Sequence, residues 1–263
     1  MFWLGILSSP RRSLLEKDHN TTAPERRRRP LPRSLGAVVA VVAGAVVIGA
    51  LLYVERAGAS LGAFDHPGPV ERAQIVGTVQ GPSGPMPHAQ IRLAVYPDSL
   101  AGEHGKGGGA HPSWVSYSAT NLWVPAHAVV TFTIRQYDSS TPTLDPYFNR
   151  VVGTVGGVAS FNGHSATALS SQNVAHTFTI HGIPQSGQPT IFVSVPLLGV
   201  SSNAPVAANG YAAPAVIRFS IVTGSSGNYI FQCFVPCGTG FNGWGGPMES
   251  QGYMAGNLVV GRG

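Results

Sequence analysis

From about residue 113 to the C-terminus the chain alternates apolar and polar positions with a period of two. In the run Val129-Val-Thr-Phe-Thr-Ile-Arg-Gln-Tyr137, Val130, Phe132 and Ile134 fall on one side. Val129, Thr131, Thr133 and Arg135 fall on the other. Successive side chains of a strand point to opposite faces, so this spacing predicts a strand with one buried face. Similar runs occupy residues 114–118, 121–125, 175–180, 190–195, 215–222, 228–233 and 256–260. Pro125-Ala-His-Ala128 reads as a turn between strands, and residues 139–146 as a Pro-punctuated loop. Residues 151–158 with 159–163 read as a hairpin. About eight short strands with no helical periodicity predict an all-β fold, a Greek-key β-sandwich over residues 113–263.

The pattern upstream is different. Residues 35–54 are twenty positions without a charge. At ~1.5 Å per residue such a helix spans the roughly 30 Å hydrocarbon core, which predicts a single transmembrane helix ahead of the sandwich. Residues 1–34 carry eight Lys/Arg, including Arg26–Arg29 and Arg33, against three acids. The positive-inside rule makes this a cytoplasmic tail on a single-pass cell-membrane protein, with everything after Val54 extracytoplasmic. A cleaved signal peptide is the rival reading, since Ala57-Gly-Ala59 precedes Ser60, but the apolar run exceeds the usual ~7–15-residue core of such signals. Residues 55–112, rich in Gly, Pro, Ala and His, read as an extracytoplasmic spacer. It contains two short strands, at 73–79 and 89–95, around a Gly81–Pro87 turn.

Composition supports this division. Only 10% of residues are charged, while Gly numbers 34 and Pro 21, which suits short strands joined by turns. The net charge of +5 belongs to the N-terminal tail, because beyond Arg56 seven basic residues balance seven acidic ones. The basic balance therefore does not argue for nucleic acid. No nucleophile elbow, HExxH, Walker loop or dinucleotide fingerprint is present, and the acids form no recognisable pair. The residues therefore do not point to hydrolase or phosphotransferase chemistry.

Candidate chemistry concentrates near the C-terminus. Cys233 and Cys237, the two cysteines of the chain, follow the strand at 228–233. A Gly-rich loop comes next, and Met254 opens the last strand. Two thiolates, a thioether and a remote imidazole are soft and borderline donors suited to copper. A Cys233–Cys237 disulfide is equally open, since extracytoplasmic compartments allow it. His88, His104 and His111 read as solvated linker histidines, without ligand-like spacing.

Three signatures in order resemble the cupredoxins: Val124-Pro-Ala-x-x-Val-x-x-Phe-Thr-Ile134, Ala175-His176-Thr-Phe-Thr-Ile180, and Tyr229-x-Phe-x-Cys233 with Gly252-x-Met254-x-Gly-x-Leu-x-Val260. The Cys-x-x-x-Cys-Gly spacing is similar to the dinuclear copper A site of cytochrome c oxidase subunit II. The anchor-plus-domain layout is similar to membrane-anchored sulfocyanin-like proteins. The resemblance covers roughly residues 113–263. It implies a copper site with His176 as first imidazole ligand, Cys233 and Cys237 as thiolates and Met254 as weak thioether ligand. The chain departs from it at the second imidazole, where Phe241 stands in the dinuclear pattern and Gly238 in the mononuclear one. His164, His181, His127, Glu249 and Met248 are the substitutes the sequence offers, although His181, five residues from His176, belongs on the opposite strand face.

The resemblance implies single-electron transfer in a respiratory chain, with a respiratory oxidase or redox protein as partner. A non-redox accessory subunit of a membrane oxidase, closed by a Cys233–Cys237 disulfide, and a copper-delivery protein are the alternatives.

Overall fold

The computed structural model describes residues 42–50, 70–82, 84–100, 110–140, 145–182, 187–239 and 243–261. The chain divides into two compact units, Met1–Val54 and Glu55–Gly263. In the first unit, residues 42–50 form a helix with every residue exposed. The expected tail at 1–34 and the remainder of the apolar run at 35–54 lie outside the described residues. Among the described residues no helix is long and apolar enough to cross a membrane.

The second unit is built from two β-sheets, as the alternation predicts. Its strands are β1 (Val70–Arg72), β2 (Gln74–Gly81), β3 (Gly84–Tyr96), β4 (Ser116–Tyr117), β5 (Asn121–Pro125), β6 (Val129–Gln136) and β7 (Ala159–Phe161). They continue with β8 (His164–Ala166), β9 (Val174–His181), β10 (Phe192–Leu198), β11 (Ala215–Val222), β12 (Gly227–Gln232) and β13 (Ala255–Gly261). One sheet has the order β1-β5-β13-β12-β9-β10. The other has the order β2-β3-β6-β11-β7-β8, with β4 beside β3. The chain crosses between sheets six times: β1 to β2, β4 to β5, β5 to β6, β8 to β9, β10 to β11 and β11 to β12.

The inward rows meet in an aromatic core. Phe132 of β6 stacks on Phe219 of β11 at 5.1 Å between ring centroids, and Phe178 of β9 lies 4.9 Å from Phe231 of β12. Phe132 and Phe178 join the two sheets at 5.3 Å. Such pairs contribute about 0.5–1.5 kcal/mol each beyond the area they bury.

Two expectations are corrected. The sandwich does not begin at residue 113, because residues read as spacer supply three of its strands. β3 lies parallel to β6 from His88↔Val129 to Val95↔Gln136, and its Ala89, Ile91, Leu93 and Val95 are buried in the core. The residues Gly84-Pro-Met-Pro87 suggest a turn, yet they form the start of β3. They extend past the beginning of β6 and pair only with β2, where a missing N–H is tolerated. The predicted hairpin also shifts. Residues 151–158 make isolated bridges and a 3-10 turn, and the hairpin forms from β7 and β8. Its two-residue turn is Asn162-Gly163, with φ of 50° and 89°, the left-handed pair that a type I′ turn needs.

Candidate metal centre

β9 directs Val174, Phe178 and Ile180 into the sandwich, and the same parity places His176 on the inner face at its rim. Cys233 follows the end of β12. Its N–H donates to the Met254 carbonyl at 3.0 Å, and the next N–H, of Phe234, donates to Thr177 Oγ1 at 2.7 Å. These two bonds hold the thiol between β9 and the start of β13. The chain then turns through Pro236, so that Cys237 Sγ comes 3.5 Å from Cys233 Sγ. The loop closes by a Gly238 N–H bond to the Gly243 carbonyl and reciprocal bonds between Thr239 and Gly245. Gly238 is needed here, because a Cβ would strike the Gly245 carbonyl oxygen.

His176 Nδ1 faces Cys233 Sγ at 3.8 Å, and one ligand atom from each of His176, Cys233 and Cys237 lies within 4.8 Å of the others. His176 and Cys233 are fully buried, and Cys237 is half-buried. Both cysteines are free thiols. The opposite ring nitrogen, Nε2, is 3.0 Å from Asp138 Oδ2. Asp138 is itself held by the Ser139 N–H at 2.7 Å and by its carbonyl, which accepts from the Val200 N–H at 2.9 Å. A carboxylate behind the imidazole fixes the ring so that Nδ1 points at the sulfurs.

The electrostatics follow from burial and pairing. Burial works against a charged His176. The hydrogen bond to Asp138 and the neighbouring Cys233 thiolate outweigh it and raise its pKa to about 9. Burial raises the Cys233 thiol, but the Cys237 S–H bond and His176 overcome this and hold it well below its ordinary range. Cys237 moves the other way, raised by its hydrogen bond to Cys233 and then by burial. Asp138 is lowered against its partial burial by the His176 bond and charge. The shifts agree in direction: they favour negative charge on Cys233 and Asp138 and positive charge on His176 between them. Tyr117 closes the inner side, its O–H donating to the Thr177 carbonyl at 2.8 Å. Burial, and then the two cysteines, keep that phenol protonated.

Of the four residues named from the sequence, three therefore stand together. Met254 is buried in the same apolar cluster as Cys233 and Val235, and its carbonyl accepts from Cys233. The substitutes for a second imidazole stand elsewhere. His181 faces Gln232 Oε1 at 3.4 Å and the Phe234 ring, as strand parity requires. His164 is exposed on β8 of the other sheet, and His127 occupies a turn with φ of 52°. Met248 is buried and Glu249 exposed beyond it. Phe241 lies outside the described residues. Among the described residues no further His, Cys, Asp or Glu joins the His176, Cys233 and Cys237 group. Asp138 carries no sequence signal, since it lies 38 residues from His176 and only the folding of β6 against β9 brings them together. A groove of about 510 Å³ on the outer face of the first sheet, beside Arg72 and Trp123, contains none of these residues.

Fold and site together define a two-sheet β-sandwich with a buried His–Cys–Cys cluster at its rim. Among solved structures the chain is similar to auracyanin B, with 12% identity and a TM-score of 0.30 over 72% of this chain and 96% of that one. It is also similar to rusticyanin from Thiobacillus ferrooxidans, with 14% identity and a TM-score of 0.26 over 71% and 86%. Both are cupredoxins. No protein-family model and no curated protein matches the chain. What the cluster can do follows from its own donors: two sulfurs and an imidazole nitrogen, converging and shielded from water, fit a soft or borderline metal ion such as copper.

Proposed function

We propose that this protein is a membrane-anchored, extracytoplasmic copper protein that passes single electrons. The observation that carries the proposal is the convergence of His176 Nδ1, Cys233 Sγ and Cys237 Sγ within 4.8 Å at a buried rim. Copper held by these residues supplies a one-electron couple between Cu(I) and Cu(II). The protein's own part is positional and protonic. The strand ends keep the sulfurs and the imidazole in place with or without metal, which limits rearrangement. Asp138 retains the Nε2 proton while the Nδ1 proton and the Cys237 proton leave on loading. Residues 35–54 serve in this reading as the anchor, and a respiratory oxidase or redox protein as the partner.

The test is to purify the full chain in detergent under reducing conditions, load it with copper and oxidise it. Stoichiometric copper with an intense thiolate-to-copper absorption band is the expected result, and it is lost in Cys233→Ser. A chain that binds no copper would sink the proposal. A second reading, copper delivery, draws on the single imidazole among the described residues beside two thiolates, a set that favours Cu(I). Colourless copper binding that disappears on oxidation would select it. A Cys233–Cys237 disulfide found by mass spectrometry, with no copper, would leave the accessory-subunit role.

A further inference from the structure

The outer face of the second sheet carries a segregated charge pattern. Register places Arg92 of β3 and Arg218 of β11 on either side of Thr133 of β6. Arg135 follows two residues along β6, on the same face. With strands ~4.8 Å apart and a rise of ~3.4 Å per residue, Arg92 and Arg218 are roughly 10 Å apart and Arg135 roughly 7 Å along. All three are exposed, while Ile91, Leu93, Ile134, Ile217 and Phe219 between them are buried, so the guanidinium groups share one side. Five arginines of the second unit are described, and three of them stand here. Among the described residues none of the three has a carboxylate within ion-pair distance. The unit as a whole is neutral, so the patch arises from placement and not from excess charge.

The face ends in an aromatic platform. Tyr96 and Tyr137 stack at 4.9 Å with planes 9° apart, and Tyr211 leans on both at 5.5 and 6.1 Å. The carboxylate at its border, Asp98, is engaged by the Tyr211 O–H at 2.8 Å and the Leu100 N–H at 2.8 Å. At the other end, Thr131 Oγ1 bonds both His88 Nε2 and Ser220 Oγ at 2.8 Å, which locks the polar row.

We infer that this face docks a protein that presents a carboxylate-rich surface. Among the described residues the surface offers three exposed arginines beside the half-buried Tyr211 and no lysine, with Tyr96 and Tyr137 buried beneath; arginine and tyrosine are enriched in protein interfaces and their energetic centres. The sheet backbone that carries the arginines is ordered beforehand, which limits the backbone entropy lost on docking. Unpaired guanidinium groups demand carboxylates for complementarity and would speed encounter with them. A lipid surface fits less well, since the rows of β6 and β11 around the arginines are mostly polar, with Val222 as their exposed large apolar residue, while the exposed Ile75 and Val76 lie apart on the edge strand β2. The face also adjoins the candidate metal centre, because Tyr137 is joined by one peptide bond to Asp138. A partner docked here sits beside the carboxylate that holds His176. The inference itself does not depend on copper.

The experiment uses the full chain in detergent, with Arg11, Arg12, Lys17, Arg26–Arg29 and Arg33 all changed to Gln so that the tail does not compete for the probe. The probe is poly-L-glutamate, followed by amide hydrogen exchange and titration calorimetry. Protection confined to β3, β6 and β11, weakened by salt and reduced about tenfold or more by Arg92→Glu with Arg135→Glu and Arg218→Glu, is the expected result. The Gln triple variant, milder at the surface, should weaken binding in the same direction. Protection elsewhere, or less than a twofold effect in both triple variants, overturns the inference. So does binding of this face to phosphatidylglycerol vesicles but not to the probe.

Discussion

At the scale of single residues, Asp138 organises the candidate centre. It accepts from His176 Nε2 and thereby presents Nδ1 to two sulfurs. Replacing Asp138 by Asn leaves shape and volume but removes the charge that orients and polarises the ring. Copper affinity should fall about 10–100-fold, with circular dichroism unchanged, as read by competition with a copper chelator. Protons give a second test. Loading displaces one from His176, whose pKa is raised to about 9, and one from Cys237, which is raised by Cys233. Copper affinity should therefore climb with pH, and less steeply above about 9 where only the Cys237 proton is still displaced; a flat profile would contradict the proton displacement. Stability has its own pH dependence. Asp138 is lowered from 3.8 in the folded chain, so its contribution is full above its unfolded value and disappears as pH falls through the folded one. Between about pH 5 and pH 2 the metal-free chain should lose more stability than Asp138→Asn does, measured by chemical denaturation.

At the scale of elements, strand β3 tests where the sandwich begins. Leu93 is buried between β6 and the facing sheet, so Leu93→Ala should cost about 2–5 kcal/mol in denaturant unfolding. A spacer residue would cost almost nothing. Gly256 of β13 makes a related point. A Cβ there would meet the Thr120 carbonyl and the Phe231 ring, so Gly256→Ala should destabilise by about 2 kcal/mol or more. Much of this architecture was legible. β11, and β6 from Val130 onward, keep the predicted alternation, since one face of each is buried and the other partly solvated; Val129 is buried on the outward row. Asn162-Gly163 announces its own turn chemistry, although which segments flank it was not evident. β2 and β3 were visible as strands but not as members of the core, because proline and glycine at Gly84–Pro87 obscured a strand that one-sided pairing permits. In the candidate centre, Cys233 and Cys237 were marked by spacing and His176 by the strand motif that carries the resemblance. Asp138 was not, because a contact across 38 residues leaves no local pattern.

At the scale of the whole molecule, charge is divided by position along the chain. Eight basic residues precede the apolar run at 35–54, and the part beyond Arg56 is neutral. In the proposed topology the tail stays cytoplasmic and the candidate centre lies where thiols oxidise, so a bound metal would protect Cys233 and Cys237 from closing on each other. The proposed topology is testable without reference to copper. In spheroplasts of cells producing the full chain with an epitope at each end, added protease should remove the C-terminal epitope and spare the N-terminal one. The protein should also stay with the membrane pellet through carbonate extraction, as expected for a helix that spans. Cleavage after Ala59 predicts the opposite on both counts, with a mature N-terminus at Ser60 and release of the domain by carbonate. Substituting Arg26–Arg29 and Arg33 by Asn removes most of the charge asymmetry that orients the span, so the retained-anchor reading predicts a mixed topology, with part of the C-terminal epitope becoming protected. A cleaved signal would show reduced export instead, and no population with the epitopes exchanged.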